Sequence, residues 1–355
     1  MIGLFHTVPS NEYSHCAFTG KVLRFPKMMN QYGYTVVEYA NEGSESNAEY
    51  KIPILSRGRL EELKGKVENK DFVGDHAIID SPLHQEFQKY LIFEMKKRVR
   101  PGDLILHPFG NSHVKLLDIF KENIHIESGI GYGAYATMEG THKIFESNAQ
   151  MHKYYGELGR AGNPSHYWFV VPNYFDLDEW EVESKPGDYI AFLGRIDSVK
   201  GLDTIQILAD HVDRKIILCG QGDWEQWKHP NIEYKGPIAG KERSNFLKNA
   251  YCTLTPTTFV EPFCGVSIES MLCGTPVLST NYGAFTENII NGFNGFRNNT
   301  LQDWIDSYAK IPELDREKIA SHTRDKFSLK EVGRQYDLVF QKYAQLYGKG
   351  WFTLK

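Results

Sequence analysis

Short runs of apolar, strand-forming residues recur along this chain, and each is followed by a stretch whose apolar residues return every three to four positions. That alternation restricts the fold to an α/β design with a mainly parallel sheet, because parallel neighbours need a crossover and a helix is the usual one. The first series places strands at 2–6, 34–39, 104–107, 124–127 and 167–171, with helices at 21–31, 83–97, 115–121 and 141–155. Pro172-Asn-Tyr-Phe-Asp-Leu-Asp-Glu-Trp180 and the polar 181–188 break the pattern and read as a linker. A second series then begins, with strands at 189–193, 215–219, 232–234, 251–254 and 276–279 and helices at 202–211, 241–249 and after Gly265. Two Rossmann-like domains with a cleft between them follow, at 1–175 and 186–330. Residues 331–355 read as a terminal helix with Val332, Tyr336, Val339, Phe340 and Tyr343 on its apolar face.

The chain has 355 residues, 41% of them hydrophobic and 24% charged, enough for two full cores. A net charge of −5 gives no overall electrostatic footprint for nucleic acid or an anionic membrane, leaving at most peripheral or transient contact. The five cysteines are scattered without a C-x-x-C pair, which argues against a disulfide framework or structural zinc and for a reducing, cytoplasmic compartment. No stretch approaches the roughly 18 apolar residues that span a bilayer, and the first residues lack a secretory pattern.

Glu261-Pro-Phe-Cys-Gly-Val-Ser-Ile-Glu269 sets two carboxylates eight residues apart around a turn that opens a helix. Val266, Ile268, Met271 and Leu272 give that helix its apolar stripe, so unpaired backbone N–H groups collect near Cys264 to Ser267. Gly265 permits close approach, and the helix dipole favours an anion such as phosphate. Glu269, one turn in, can accept paired hydroxyls such as those of a ribose. Glu261 can accept hydroxyls from whatever extends beyond the phosphates. Gly194-Arg-Ile-Asp-Ser-Val-Lys-Gly201 puts Arg195 and Lys200 after a strand, where open α/β sheets bind ligands and where two cations can neutralise a diphosphate.

These segments, with Gly220-Gln-Gly222, Cys273-Gly-Thr-Pro-Val-Leu278 and Asn281-Tyr-Gly-Ala-Phe-Thr-Glu287, resemble the donor half of the retaining nucleotide-sugar glycosyltransferases of family 4. Val171-Pro-Asn-Tyr-Phe-Asp176 is similar to that family's interdomain segment. The resemblance implies a GT-B fold with an acceptor-side first domain, a donor-side second domain and a last helix packing back on the first. It implies a UDP-, GDP- or ADP-sugar as donor, an acceptor that the sequence leaves open, and neither cofactor nor obligatory metal. Arg195 and Lys200 would hold the diphosphate, Glu269 the ribose and Glu261 the sugar. Gly194, Gly220, Phe263, Cys264, Gly265 and Val266 would line the donor, as would Gly20, read as part of the loop after the first strand. Where many members carry a His facing the reaction centre, this chain has Glu127.

His107, Asn111 and Tyr132 are further candidates for the acceptor side. Thr19-Gly-Lys21 is no Walker A tail, since Val22 stands where Mg²⁺ needs Ser or Thr. Asp176-Leu-Asp178 reads as a capping pair. Lys21, Arg24 and Lys27 interleave with apolar residues, the pattern of a core-packed helix with a solvated basic face, interrupted by Pro26. The same fold also accommodates a sugar-nucleotide epimerase, a phosphorylase or a non-catalytic carbohydrate-binding protein.

Overall fold

Among the described residues three sheets, all with parallel pairing, carry the apolar runs. The computed structural model describes residues 1–13, 16–64, 78–130, 133–160, 162, 165 and 167–346. The chain divides into two units. The first comprises Met1–Glu146, Tyr154–Tyr174 and the segment from Leu329, and the second comprises Ser147–Lys153 and Phe175–Ser328.

In chain order the elements with strands or α-helices begin with α1 (Ala17–Asn30), β1 (Val37–Ala40), β2 (Tyr50–Pro53), α2 (Arg57–Lys64) and α3 (Pro82–Arg98). They continue with β3 (Leu104–His107), α4 (Lys115–Ile119), β4 (Ile124–Ile130), β5 (His142–Phe145), α5 (Asn148–Glu157) and β6 (Trp168–Val170). In the first unit β1 pairs with β2, and the other strands run in the order β3-β4-β5-β6. The expected first strand reduces to a single bridge, Ile2 with Tyr39, while the Ile2 N–H donates to Leu106 at 3.2 Å. It goes no further because the Asn41 amide claims the carbonyls of Phe5 and Thr7, at 2.9 and 3.0 Å, which a ladder would have used.

Residues 141–155, expected as one helix, are a strand followed by a helix. All four residues of β5 are buried between β4 and β6, so the segment lacks the polar face that distinguishes a strand by alternation. Ser147 then accepts from the Gln150 N–H at 3.0 Å and starts α5. α1 runs through Pro26, which is buried within it. Lys21 is not on a solvated face: it is buried against Glu146 and donates to the Gly129 carbonyl at 2.8 Å.

The second unit contains β7 (Ile190–Leu193), α6 (Leu202–Leu208), β8 (Ile216–Cys219), β9 (Ile232–Gly236), α7 (Gly240–Lys248), β10 (Cys252–Thr255) and α8 (Gly265–Leu272). It ends with β11 (Val277–Thr280), α9 (Phe285–Asn288), β12 (Gly295–Asn298), α10 (Leu301–Ala309) and α11 (Arg316–Phe327). Its sheet runs β12-β11-β10-β7-β8-β9, so the order reverses direction between β7 and β10. That is a topological switch point, with the strand ends at Leu193 and Thr255 on either side of it. α12 (Leu329–Leu346) belongs to the first unit, where Val332, Tyr336, Val339, Phe340 and Tyr343 pack with Phe25, Met28 and Met29 of α1.

The stretch read as a linker is anchored rather than loose. Val171 and Tyr174 are in the first unit's core, whereas Phe175 and Trp180 are in the second's, with Phe263, Met271 and Phe327. Each such large side chain contributes about 1.5–3 kcal/mol by leaving water. The Asp176 carboxylate accepts from the Asp178 N–H at 3.3 Å, the capping role read from the sequence. Among the described residues, no helix is long and apolar enough to cross a membrane.

Candidate functional site

The switch point of the second unit is built from two turns and a helix start. After β7 the chain passes through Gly194 to a short turn at Ser198–Lys200, which Asp197 caps by accepting from the Val199 N–H at 3.0 Å. Thr258 fastens this turn to the loop after β10, its N–H and hydroxyl both donating to the Val199 carbonyl, at 2.9 and 3.2 Å. Gly201, at φ +82°, completes the contact, because a Cβ there would lie 1.9 Å from the Pro256 carbonyl oxygen. Lys200 is thereby delivered to Glu261. Its ammonium lies 3.0 Å from Oε2 of that carboxylate and 4.6 Å from the centre of the Phe259 ring. Arg195 stands outside this pairing with 69% of its side chain exposed, its nearest carboxylate being Asp197 at 3.9 Å. Gly220, at the end of β8, is pressed on Gly194 so closely that a Cβ would lie 1.6 Å from the Gly194 oxygen.

The loop carrying Glu261 is held by three successive carbonyls. Glu261 accepts from the Ala284 N–H at 2.9 Å, Pro262 from the Ser147 hydroxyl at 2.6 Å, and Phe263 from the Asn288 amide at 3.4 Å. Glu287 supports Ser147 from behind, accepting the N–H groups of Asn148 and Ala149 at 3.0 and 2.8 Å. The Phe263 ring is buried between Phe175 and Phe327, so only its backbone is available to a ligand. Cys264 then turns into the left-handed region, φ +62° and ψ +77°, a strained conformation for a residue with a side chain. It serves as N-cap of α8 without a side-chain cap, leaving the first backbone N–H groups of that helix for an external acceptor. Burial pushes the Cys264 thiol up to about 12, so it is a protonated sulfur at neutral pH and no nucleophile.

Glu269 sits one turn into α8. Arg243 of α7 reaches it and gives both its Nε, at 2.7 Å, and an Nη2 N–H to the single oxygen Oε2. No described residue donates to Oε1, and a Cβ added to Gly265 would stand 3.9 Å from it. The structure thus joins Lys200 with Glu261, Gly194 with Gly220, and Cys264, Gly265, Val266 and Glu269 along one helix start. Arg243, Ser147, Asn288 and Glu287 were not singled out from the sequence. Arg243 lies in the first turn of α7 with no local pattern to mark it, and only the fold brings it to Glu269.

The first unit's candidates have other surroundings. Glu127 is fully buried, paired with Lys143, with Thr141 donating to it at 2.7 Å and the Met138 N–H at 3.1 Å. Burial lowers the Lys143 ammonium below its usual range, which the adjoining Glu127 opposes. His107 is also buried, 2.9 Å from the His125 ring, and burial holds it well below the usual imidazole range. Asn111 is half-buried in the turn Gly110–His113. Gly20 lies inside α1 rather than in a loop, because the turn it was expected to join is already helical, and its N–H donates to the Cys16 carbonyl at 2.8 Å. Tyr132 lies outside the described residues.

Residues 176–314 match the family model of the glycosyl transferases group 1. The matched segment contains the site residues from Gly194 to Asn288, while Ser147, Asn148, Ala149, Phe175 and Phe327, which support the Glu261 loop, lie outside it. The chain is 36% identical over 108 residues to the 2-deoxystreptamine N-acetyl-D-glucosaminyltransferase of Niallia circulans, an alignment covering 26% of this chain and 28% of that protein. The chain spans about a third or less of the length of the curated relatives it matches. Among solved structures, AviGT4, a glycosyltransferase involved in avilamycin A biosynthesis, superposes with a TM-score of 0.67 at 15% identity over 92% of this chain and 89% of its own. HepE of Anabaena, solved with UDP-glucose, gives 0.61 at 15% identity over 74% and 84%. The α/β fold with its parallel sheets is that of the GT-B glycosyltransferases.

Proposed function

We propose that this protein is a cytoplasmic glycosyltransferase that moves a sugar from a nucleoside diphosphate donor to an acceptor hydroxyl with retention of anomeric configuration. The observation that carries the reading is one helix start with unclaimed N–H groups, flanked by the Lys200–Glu261 pair on one side and Glu269 on the other. A nucleotide sugar presents ribose, diphosphate and sugar in that order. Glu269 accepts from the ribose hydroxyls, the α8 start with Lys200 and Arg195 takes the diphosphate, and Glu261 accepts from the sugar. The HepE complex with UDP-glucose is consistent with such a donor.

In this reading the anomeric carbon loses its bond to the phosphate oxygen while the acceptor oxygen bonds on the same face. A departing phosphate oxygen takes the acceptor's proton. Charge gathering on the diphosphate meets fixed N–H dipoles and two cations, which lowers the barrier without reorganisation. These cations do the neutralising that a metal ion performs in other phosphate sites. Five free thiols support the reading of a reducing compartment.

The test is release of nucleoside diphosphate from UDP-, GDP- and ADP-sugars in the presence of candidate acceptors. Lys200→Ala and Glu269→Ala are expected to lower turnover by about a hundredfold or more while keeping a cooperative unfolding transition, each less stable than the parent because Glu261 loses its lysine or Arg243 its carboxylate. Transfer at the parental rate by both variants would overturn the proposal. Conversion of the sugar without transfer would point instead to an epimerase.

A further inference from the structure

We infer that Arg243 is a positioning residue that makes Glu269 a one-oxygen reader of ribose, so that the site selects ribonucleoside over 2′-deoxyribonucleoside diphosphates. The inference rests on the reading of α8 as a donor site and goes beyond it by naming what sets sugar-ring selectivity in the nucleotide. A carboxylate oxygen has two lone pairs. Oε2 of Glu269 receives two donors from one guanidinium, Nε and Nη2, so its capacity is used up. Oε1 receives no donor from the described residues and stays open to the helix start across Gly265. The planar guanidinium fork fixes the place of Oε2 more tightly than a flexible ammonium would, while the α8 backbone fixes the other end of the side chain. Both side chains are mostly withdrawn from solvent, Arg243 at 18% and Glu269 at 12% exposure, so water competes weakly for the pair.

Two vicinal hydroxyls can then donate together to the two remaining lone pairs of Oε1. A 2′-deoxyribose supplies one donor and leaves the other lone pair unmet in a half-buried site, which is how such sites reject analogues lacking a hydroxyl. Without Arg243, Glu269 regains rotamer freedom and both oxygens, and either can take a lone 3′-hydroxyl.

The experiment is calorimetric titration of the full chain with UDP, ADP and GDP, each beside its 2′-deoxy counterpart, for the parent, Arg243→Leu and Arg243→Lys. For the base the parent binds best, the ribo form is expected to bind at least tenfold tighter than the deoxy form. Arg243→Leu should reduce that ratio to within about threefold, mainly by weakening the ribo form, and Arg243→Lys should restore part of it. In turnover assays Arg243→Leu should raise KM for the donor far more than it lowers kcat. An unchanged ribo to deoxy ratio in a normally melting Arg243→Leu would overturn the inference and leave the donor-site reading standing. Failure of the parent to bind any of the six nucleotides would overturn the reading and the inference with it.

Discussion

Acid should loosen the first unit through histidines that it holds neutral, and His142 isolates the effect. This residue lies in β5, 5% exposed, its ring 4.6 Å from that of Tyr343 and edge-on to Tyr167 at 6.0 Å. Burial, and secondarily the charge of Lys143, push its pKa down from 6.5 to about 4. Because the folded value lies below the unfolded one, the unfolded chain takes up the proton first. Stability present above pH 6.5 is therefore lost as the pH falls toward 4. At pH 5, about 1.5 units below the unfolded value, the loss from this one ring is about 2 kcal/mol at about 1.36 kcal/mol per unit. His113, fully buried and pushed down to about 3, adds a loss of about the same size at that pH. Together they remove a large part of a typical folding free energy of about 5–15 kcal/mol. His142→Phe keeps the ring contacts and removes the titration. Urea titrations read by pulsed hydrogen exchange on β4 to β6 peptides should show the variant losing about 2 kcal/mol less than the parent between pH 7.5 and 5. Carboxylates titrate equally in both proteins and cancel. Parallel pH profiles for parent and variant would show that His142 is not held neutral, and the argument would fail.

Two other perturbations test the framework. Lys143→Met strands the buried Glu127 carboxylate and should cost about 3–5 kcal/mol in urea unfolding, most of it recovered when Glu127→Gln is added; equal losses with and without the second change would show that the pair is uncoupled. Gly220→Ala places a methyl where the Gly194 oxygen stands, and should lower the stability of the second unit by about 1–3 kcal/mol while weakening nucleoside diphosphate binding. An alanine variant that melts and binds like the parent would mean that the two turns separate at no cost.

The sequence made the second unit's sheet legible because most of its strands are short, largely apolar and separated by helices. Five of its six strands were read within a residue or two of their positions. The sixth, Gly295–Asn298, carries Gly, Arg and Asn and pairs only with β11 at the sheet edge, so no hydrophobic run marks it. α10 and α11 were missed as well. α11 is largely polar, and its fold-level role depends on packing against α8, which no local pattern reports. In the first unit the misreadings have a different cause. β5 contains His142 and Lys143, polar residues buried by tertiary context, and their neighbours gave a false helical period. Arg195, Lys200, Glu261 and Glu269 could be named because a loop between strand and helix is a local signal. Arg243 could not, since its partner is 26 residues away and reaches it only after both helices pack.

The three carboxylates of interest differ in the capacity they have left, and that difference separates framework from site. Glu127 has no exposed surface, and Lys143, Thr141 and the Met138 N–H satisfy it. Glu261 holds Lys200 at 3.0 Å, yet the lysine keeps 20% of its side chain accessible. An arriving phosphate, more highly charged than a carboxylate, can draw that ammonium away, and the buried Glu261 carboxylate, losing its lysine, can accept a hydroxyl in its place. Glu269 goes furthest, one oxygen saturated by Arg243 and the other without a donor among the described residues. A carboxylate oxygen held in place beside a helix start that lacks a side-chain cap sets a ready acceptor next to ready donors. A ligand carrying hydroxyl donors and phosphate acceptors would satisfy both at once.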